Sequence, residues 1–341
     1  MGIHQLEIAV VILNYNGSHH LKTFLPSVVK YSSIARVVVA DNGSTDNSVE
    51  VLRQFREVEL IQLPQNYGFC GGYNRALAQI ESKYYVLLNS DVEVTAAWIT
   101  PLFEAMESDD NIAACQPKIK AYHQKEYFEY AGAAGGYIDF LGYPFNRGRF
   151  FEETEKDVGQ YNDEVSIFWA TGACMMVRAD LYHNLGGLDE DFFAHMEEID
   201  LCWRLKRAGF TIKYVGSSEV YHVGGGTLHK SSPRKTFLNF RNSLLVLAKN
   251  LPTSKAIVII FLRLCLDGVA GIRFLLTGDA VSCWAIIRSH FSFYKLLPKM
   301  ISKKVRLPKD EEKIAEVYLG SIVWDYFVKK KRSFKELHFL R

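Results

Sequence analysis

The chain lacks paired cysteines. Its six cysteines are widely spaced, and no two of them form a C-x-x-C pair: Cys70, Cys115, Cys174, Cys202, Cys265 and Cys283. Such spacing indicates neither a disulfide framework nor a zinc site. The first thirteen residues include Glu7 and only one short apolar run, which is not the pattern of a secretory signal. We therefore expect a reducing, cytosolic setting.

Internal repeats, low-complexity runs and a clean membrane-spanning segment are also missing. The most apolar stretch, residues 256–277, contains Arg263, Asp267 and Arg273, and each charge near the centre of a bilayer costs about 2.5–3.5 kcal/mol. We expect this stretch to lie at a membrane interface or to pack on other helices. An ordinary helical subdomain is the alternative. No basic stripe interleaved with aromatic residues occurs in the first part of the chain, so we do not expect nucleic-acid binding.

What is present is enough apolar material for a large core. The 341 residues are 48% hydrophobic and 13% aromatic, and this length predicts one large domain with an appendage. Residues 1–250 carry 23 Lys and Arg against 30 Asp and Glu, whereas residues 251–341 carry 17 against 8. We therefore divide the chain into a domain at 1–250 and a basic, apolar helical extension at 251–341. Its composition favours contact with an anionic membrane surface.

The strand predicted at 84–91 places a carboxylate where ligands bind. Five apolar residues run without alternation into Asn89, Ser90 and Asp91, as in a strand buried on both faces of a parallel sheet. Open α/β folds bind their ligands at the carboxyl edge of such a sheet. Asp91 could there hold Mg²⁺ or Mn²⁺ together with phosphate oxygens of a substrate. Alternatively, Asp91 only caps the next helix or shapes the turn.

Further strands alternate with helices. Strands predicted at 8–13, 36–40 and 58–63, with a helix expected from Tyr73 after the glycines of 68–72, favour a doubly wound parallel sheet. Asp41 follows the second strand and should lie on the same edge as Asp91. Residues 121–164 have no clear period and predict a long insertion over the sheet edge that shapes a binding site.

His222 is predicted to end a strand over 219–223 that follows another over 211–215. It precedes the glycines of 224–226, which makes it a candidate second metal ligand, and an imidazole suits Mn²⁺ better than Mg²⁺. A lone histidine is otherwise usually a satisfied core or surface residue.

Glu197 and Glu198 open a helix predicted over 196–207. The helix dipole alone favours acids in a first turn, and Asp200 can pair with Arg204 four residues on. However, neighbouring helical residues differ by about 100° around the axis, so one of the two acids can face solvent while the other faces a cleft. A carboxylate in a partly dry cleft has a raised pKa and can accept a proton from an attacking hydroxyl.

Four ordered motifs together resemble the family-2 glycosyltransferases, most closely the bacterial rhamnosyltransferase-like branch. The resemblance covers about residues 6–250 and rests on 10–17 (VVILNYNG), 39–46 (VADNGSTD), 87–91 (LLNSD) and 197–204 (EEIDLCWR). It implies a GT-A fold, which is a nucleotide-sugar-binding α/β domain with a mixed, mainly parallel central sheet, here followed by a C-terminal helical extension. The extension resembles the membrane-associated extensions of such enzymes only loosely.

The resemblance also implies which residues bind the nucleotide-sugar donor. Asp41 would accept a hydrogen bond from the imide of uracil or thymine, with Arg75 supporting the base and Asn14 lining the same pocket. Arg241 matches an arginine often found near the diphosphate. Asn89 stands where the family usually has the first acid of a D-x-D signature.

For the chemistry, the resemblance implies Asp91 and His222 as ligands of a divalent metal, Mg²⁺ or Mn²⁺, that bridges the two phosphates. Glu198 falls where the family usually carries an aspartate as general base, which leaves Glu197 as a rival. The acceptor site is expected at Trp169, Thr171 and Gly172.

The resemblance implies a metal-dependent, inverting hexosyltransferase at the inner face of the cell membrane. It would move a sugar from a dTDP-rhamnose or UDP-hexose type donor to a hydroxyl of a glycan or lipid-linked acceptor in surface polysaccharide synthesis. The alternatives are a sugar-nucleotide pyrophosphorylase and an inactive, membrane-docked scaffold. A glycine-rich triphosphate loop after the first strand would favour the pyrophosphorylase, but residues 14–17 supply one glycine.

Overall fold

The computed structural model describes residues 7–224, 232–305, 314–337 and 339. The strands are β1 (Ile8–Asn14), β2 (Arg36–Asp41), β3 (Val58–Gln62), β4 (Tyr84–Asn89), β5 (Val92–Val94), β6 (Ile112–Ala121), β7 (Gly136–Asp139), β8 (Pro144–Asn146), β9 (Arg149–Phe150), β10 (Glu153–Thr154), β11 (Glu164–Ser166), β12 (Cys174–Arg178), β13 (Thr211–His222) and β14 (Val317–Tyr318). The helices are α1 (Ser18–Tyr31), α2 (Ser48–Leu52), α3 (Gly68–Leu77), α4 (Thr100–Ser108), α5 (Ala179–Asn184), α6 (Glu197–Arg207), α7 (Pro233–Asn250), α8 (Thr253–Leu276), α9 (Ala280–Ser302) and α10 (Ile322–Phe327). Short 3₁₀ turns lie at Glu190–Phe192 and Phe334–Glu336.

The central sheet is mixed and mainly parallel, as the resemblance implied. Its strand order is β11-β13-β6-β12-β4-β1-β2-β3, and β5 pairs with β13. Strands β1 to β4 run parallel, but β12 runs antiparallel to both β4 and β6. The alternation of strands and helices predicted the parallel strands, and β12 accounts for the mixed character of the sheet. The chain reaches β12 through the insertion and not through a single helix, so β12 is free to enter in the opposite direction.

Alternate residues of each central strand feed two separate cores. In β1, Ala9 and Val11 pack in one cluster, while Ile8, Val10 and Ile12 pack in the other. Helices α1, α2 and α4 cover the second face of the sheet, and α3, α5, α6 and α7 cover the first. Both faces of the central sheet are therefore buried, which explains the unbroken apolar run of each central strand.

Helix α3 begins at Gly68 and not at Tyr73, so the glycine cluster is helical. A Cβ on Gly72 would lie 2.7 Å from Leu13 Cδ1 and 2.9 Å from Asn42 Nδ2. The missing side chain lets this helix approach the ends of β1 and β2 closely. Tertiary packing thus overrides the low helix propensity of glycine at this position.

The predicted insertion folds into a second sheet, ordered β10-β9-β8-β7-β14. Its last strand comes from the C-terminal segment, since β14 pairs in parallel with β7. The predicted strands at 211–215 and 219–223 form the single strand β13, with a break in register between Val215 and Glu219.

The helices after residue 250 pack against α7. Helix α7 contacts both α8 and α9, and the division at residue 250 stays a prediction. Among the helices of the described residues, none combines the length and the apolarity needed to cross a bilayer.

Candidate active site

Asn14 and Asp41 end neighbouring parallel strands and contact each other directly. Asn14 Nδ2 donates to Asp41 Oδ1 at 3.0 Å and to Ser44 Oγ at 3.2 Å, while the Ser44 backbone N–H donates to Asp41 Oδ2 at 3.1 Å. Both side chains are buried, and Asn14 Oδ1 has no hydrogen-bond partner among the described residues. The pair fixes the loop after β2 and presents one unused acceptor at the carboxyl edge of the sheet.

Arg75 lies on α3, close to this edge. Its guanidinium stacks on Tyr67 with 4.0 Å to the ring centroid, and its Nη1 donates to Glu190 Oε1 at 2.8 Å. Both members of this ion pair are substantially exposed, so the contribution of the pair to stability is small.

Asp91, His222 and Glu129 form a buried chain of charges beside Asn89. His222 Nε2 lies 3.2 Å from Asp91 Oδ1 and 3.4 Å from Asn89 Nδ2, and its Nδ1 lies 3.5 Å from Glu129 Oε2. Burial lowers the pKa of His222, but Glu129 and Asp91 raise it to about 10. Burial raises the pKa of Asp91, but His222 brings it below its usual value.

These residues fit a divalent cation. A carboxylate and an imidazole converge at the edge of the sheet, and a second carboxylate faces the other imidazole nitrogen, as is usual around a metal-binding histidine. His222 Nδ1 makes no hydrogen bond in the described chain. Within the described ranges, no three His, Cys, Asp or Glu side chains are grouped as a complete metal site. A bound cation would therefore need additional oxygens from its substrate.

Glu197 and Glu198 occupy the first turn of α6 but have different surroundings. Glu197 is buried and does not line the cavity described below, although the charges of both acids raise the pKa of the Cys70 thiol. Glu198 is half-buried and lines a cavity. The expectation that one acid faces a cleft agrees with this geometry, whereas neither faces bulk solvent. Burial raises the pKa of Glu198 to about 7 and the pKa of Glu197 well above its ordinary value. Neither Oε2 atom has a hydrogen-bond partner among the described side chains.

The loop before α6 has an unusual backbone. Phe193, His195 and Met196 have φ values of 67°, 68° and 74°, a region that costs about 1–2 kcal/mol for a residue with a Cβ. Asn242 on α7 holds this loop, because its Nδ2 donates to the carbonyls of Phe192 at 3.0 Å and of Ala194 and His195 at 2.8 Å.

Arg241 supports the same loop. Its Nη2 donates to the carbonyls of Asp191 at 3.1 Å and Phe192 at 3.0 Å, and its Nε donates to Asn242 Oδ1 at 2.8 Å. In this structure Arg241 thus anchors the segment that leads to the two acids. Its expected place beside the diphosphate stays a prediction.

The cavity that holds Glu198 has a volume of about 320 Å³. It lies between the insertion, the start of α6, α7 and α8, and its lining includes Tyr130, Ala131, Tyr143, Asn146, Arg149, Trp169, His195, Met196, Glu198, Lys235, Asn239 and Arg263. Trp169 is fixed by its indole N–H, which donates to the Tyr137 carbonyl at 3.0 Å.

Thr171 and Gly172 lie next to β6 and the start of α3. The Thr171 backbone N–H donates to Gln116 Oε1 at 3.0 Å, and a Cβ on Gly172 would lie 3.4 Å from Phe69. These two residues do not line the cavity itself, whereas Trp169 does.

The carboxyl edge of the sheet, which carries Asn14, Asp41 and Asn89, and the cavity are neighbours in the fold. Glu129 contacts His222 and is followed directly by Tyr130 and Ala131, which line the cavity with Glu198. From the other side, the Asn89 backbone N–H donates to the Ala173 carbonyl at 3.0 Å. Glu129 and Tyr130 thus connect the Asp91–His222 group to the cavity that Glu198 lines, although Asp41 and Asp91 are not among the residues that line it.

Sequence reasoning missed several residues of this region. Glu129 and Arg149 belong to the insertion, which has no period from which their orientation could be inferred. Lys235 belongs to α7 and Arg263 to α8, beyond the four motifs that carry the resemblance. For Asn242 a signal was available, since it is a polar residue that follows Arg241 directly and precedes a run of apolar residues in a helix.

The architecture is that of the GT-A glycosyltransferases. TarS of S. aureus, solved in complex with UDP-GlcNAc, matches with a TM-score of 0.55 and 17% identity over 88% of this chain and 84% of its own. GalNAc-T7, solved with UDP, GalNAc and Mn²⁺, also gives a TM-score of 0.55 at 17% identity. This match covers 73% of the chain but only 48% of GalNAc-T7. At such identities the similarity shows the fold alone.

The sequence comparison gives the family. Residues 9–186 match the model of Glycosyl transferase family 2, so the chain belongs to this family. It is also 29% identical over 240 residues to N-acetylglucosaminyl-diphospho-decaprenol L-rhamnosyltransferase of Mycobacterium tuberculosis (strain CDC 1551 / Oshkosh), covering 63% of this chain and 75% of the relative. The predicted family and the rhamnosyltransferase-like branch are confirmed, and the chain is a glycosyltransferase.

Proposed function

We propose that the protein catalyses inverting transfer of a sugar from a nucleotide diphosphate sugar to a hydroxyl of a glycan or lipid-linked acceptor. The position of Glu198 carries this proposal. Its carboxylate lines the cavity near the carboxyl edge of the sheet, has an unpartnered oxygen in the described chain, and has a pKa raised by burial to about 7. A base with a pKa near the working pH is suited to deprotonate an alcohol during attack.

The proposed reaction is a displacement at the anomeric carbon of the donor, with Glu198 as the general base. Glu198 takes the proton of the acceptor hydroxyl while its oxygen attacks the anomeric carbon of the donor. The bond between that carbon and the diphosphate oxygen breaks, and the diphosphate leaves with the electron pair on the opposite face. Attack opposite to the leaving group inverts the configuration. Trp169 borders the acceptor in this arrangement.

For the donor, we propose a dTDP-rhamnose or UDP-hexose type of nucleotide sugar. Support comes from the rhamnosyltransferase of M. tuberculosis and from the UDP-GlcNAc complex of TarS. The unused acceptor of the Asn14–Asp41 pair suits a base N–H, and Arg75 stacked on Tyr67 lies at the same edge.

We further propose that Asp91 and His222 hold a divalent metal, Mg²⁺ or Mn²⁺, with Asn89 beside them. A bound divalent cation neutralises the charge that develops on a departing diphosphate. Mn²⁺ in the GalNAc-T7 structure and the donor set around His222 support this. Thermal unfolding with UDP or dTDP, with and without Mn²⁺, tests it: the metal should raise the nucleotide-dependent stabilisation, and Asp91→Asn should remove that increment.

The extension supports a location at the inner face of the membrane, with an anionic bilayer as the partner of α8 and α9. Large apolar side chains are exposed along both helices: Ile257, Phe261, Val269, Ile272, Leu276, Val281, Trp284 and Phe291. The basic residues Arg288 and Lys295 lie among them on α9. Together these features suit a surface with an apolar interior and anionic headgroups.

The substitution Glu198→Gln tests the catalytic role, with Glu197→Gln as the matched control in the same helical turn. Loss of a general base lowers rates by about 10²–10⁴-fold. We expect that loss in sugar transfer by Glu198→Gln, with UDP or dTDP still bound. Glu197→Gln should retain transfer within about tenfold. Full turnover by Glu198→Gln would remove Glu198 from the mechanism, and no turnover by the unaltered protein with any donor would favour a scaffold.

A further inference from the structure

The segment of residues 189–198 leads from the first 3₁₀ turn to the two acids of α6. Three of its residues, Phe193, His195 and Met196, have left-handed backbone conformations although each has a Cβ. Residues keep such a conformation only where the surrounding structure holds them in it. The direction in which Glu198 leaves this segment therefore depends on the contacts that hold the segment in place.

Two aspartates at the start of the segment bind lysines that come from outside it. Asp189 is buried and accepts from Lys249 of α7 at 2.7 Å and from Lys303, directly after α9, at 2.5 Å. Asp191 accepts from Lys303 at 2.5 Å and from Lys299 of α9 at 2.6 Å. Lys303 thus bridges the two carboxylates and joins the end of α9 to the segment.

These ion pairs are better shielded from water than ordinary surface pairs, which contribute little. The side chains of Asp189 and Asp191 are only 5% and 16% exposed. Burial raises the pKa of Asp189, but Lys249 and Lys303 lower it to about 2. Burial lowers the pKa of Lys303, but the two aspartates raise it above its usual value. The pairs are therefore ionised at neutral pH.

The same charge network reaches helix α6 itself. Lys249 also donates to Asp200 of α6 at 2.8 Å, and Asp200 pairs with Arg204 of the same helix at 2.7 Å. In the last turn of α6, Lys206 pairs with Glu316 at 3.0 Å. Residues of the extension thus contact both the segment before α6 and the last turn of that helix.

The placement of Glu198 is what these contacts can influence. A general base acts only at hydrogen-bond distance from the hydroxyl that it deprotonates. Glu198 lies seven residues after Asp191, and its Oε2 has no hydrogen-bond partner among the described residues. Its position therefore depends on the backbone of the segment. Asn242 and Arg241 hold the middle of the segment, and the lysines hold its start.

We propose that Lys303 and Lys299 position Glu198 for proton transfer by fixing the start of the 189–198 segment. This inference rests on the proposed function, because it assigns the two lysines to the reaction in which Glu198 is the base. Both lysines act through the backbone of the segment and do not touch the substrate. The extension then takes part in catalysis in addition to any contact with a membrane.

Lys303→Met tests this positioning role by separating kcat from binding. A displacement of about 1 Å that originates far from the reacting atoms can cost about 100-fold in rate, so kcat should fall by about 10–100-fold. KM for the donor and the Kd of UDP or dTDP should stay within about twofold, because only the transition state loses an interaction. Lys303→Arg keeps a cation and should retain kcat within about threefold. A purely structural role would leave the kcat of the folded protein unchanged.

Amide hydrogen exchange of the same proteins tests the segment without any turnover. The N–H groups of Asp191, Phe192, Phe193 and Ala194 are hydrogen-bonded within the segment, so their exchange reports its local opening. We expect this exchange to be at least about tenfold faster in Lys303→Met than in the unaltered protein.

Lys83→Met is the matched control, since Lys83 pairs with Glu107 of α4 at 2.6 Å and not with the segment. It should change neither kcat nor the exchange of the segment. If Lys303→Met fails to fold, Lys299→Met decides, because the side chain of Lys299 is 56% exposed. We expect it to lower kcat by at least about threefold.

An unchanged kcat in Lys303→Met, or an equal loss in Lys303→Arg, would overturn the inference. If the unaltered protein transferred no sugar from any donor, the proposed function would fail. The exchange measurement would then still decide whether the lysines fix the segment: faster exchange in Lys303→Met would support this, and unchanged exchange would overturn it.

Discussion

Glu198 shows how a single position in a first helical turn can be given a chemical task by its surroundings. It differs from Glu197 by one step around the helix: Glu198 lines the cavity, whereas Glu197 is buried and is not among the residues that line it. Both acids gain a higher pKa from burial, but only Glu198 borders space for a substrate. Position, more than acidity, therefore distinguishes the two.

The raised pKa of Glu198 predicts the pH dependence of transfer. The carboxylate must be ionised to accept a proton, so kcat/KM should rise with pH and level off above about pH 7. Burial raises the pKa of Glu198 and backbone N–H groups of its own helical turn oppose this, while the charge of Glu198 raises the pKa of Glu197, Cys70 and Cys202 around it. His195 and Lys235 border it across the cavity. The measurement is kcat/KM of the unaltered protein from pH 5.5 to 9.

An aspartate at position 198 is the matched variant for this profile. Glu198→Asp shortens the side chain by one methylene, which withdraws the carboxylate from the reacting hydroxyl but keeps its chemistry. We expect a lower plateau and a rising limb that is still present. A profile that is flat between pH 5.5 and 8 in the unaltered protein would contradict a base with this pKa.

At the residue scale, the sequence was sufficient where side chains follow regular strands. Asn14 and Asp41 could be placed together because the carboxyl ends of β1 and β2 share one edge. Arg149 could not be placed, because its position depends on a second sheet whose strands are two to four residues long. Such short strands have too few residues to show a period.

At the scale of elements, the loop before α6 is the least expected part of the fold. The sequence predicts the helix itself almost to the residue, since it is amphipathic and ends before Gly209. It does not predict three left-handed residues with side chains in front of the helix, because local preference disfavours them. They persist because Asn242, almost fifty residues later, binds this loop. Its Nδ2 donates to three carbonyls of the loop, and its Oδ1 accepts from Arg241.

We expect Asn242→Asp to release this loop. The substitution keeps the oxygen that accepts from Arg241 but removes the N–H donors and places a carboxylate against three carbonyl oxygens. Loss of these hydrogen bonds should lower the free energy of unfolding by about 2–3 kcal/mol. The rate of transfer should fall as well, because the loop positions Glu198. Urea unfolding and steady-state kinetics are the measurements.

Asn184→Asp provides the control for the added charge, since Asn184 is an exposed residue at the end of α5. It should change neither stability nor kcat beyond about 0.5 kcal/mol and twofold, as is usual for surface positions. If Asn242→Asp lowered stability but left kcat unchanged, the loop would have a structural role only.

At the scale of the whole molecule, ion pairs attach the C-terminal helices to the rest of the fold. In α8, charged side chains face inwards and apolar side chains face outwards. Lys303 at the end of α9 contacts Asp189 and Asp191 at 2.5 Å, and Lys249 on α7 contacts Asp189 and Asp200 at 2.7 and 2.8 Å. Helix α8 buries Arg263 and Asp267. Its large aliphatic residues face outwards, which is the reverse of a helix in a water-soluble domain.

This inversion explains why composition predicted the extension as a unit but could not predict its packing. The apolar period of 256–277 and the charges within it were visible in the sequence. Which face turns inwards depends on the cavity and on Asp267, whose partner His290 belongs to the next helix. The pairing of β14 with β7 could not be predicted either, because a two-residue strand has no sequence pattern of its own.

The exposed surface of α8 and α9 predicts binding to anionic vesicles. In a flotation assay, the full chain should bind vesicles with about one third phosphatidylserine more tightly than neutral phosphatidylcholine vesicles, and salt should weaken the binding. Phe261→Ser and Phe291→Ser each remove an exposed aromatic side chain from this surface. Full burial of such a side chain contributes about 1.5–3 kcal/mol, so partial insertion predicts about a tenfold loss for each variant.

Val158→Ser is the control for this experiment, because Val158 is 77% exposed but belongs to the insertion and not to α8 or α9. It should bind vesicles as tightly as the unaltered protein. The competing occupant of the surface is a second copy of the chain. Sedimentation equilibrium distinguishes the two: a dimer that Phe261→Ser and Phe291→Ser dissociate, without any vesicle binding by the unaltered protein, would assign the surface to self-association. The inverted helix would then be covered by protein.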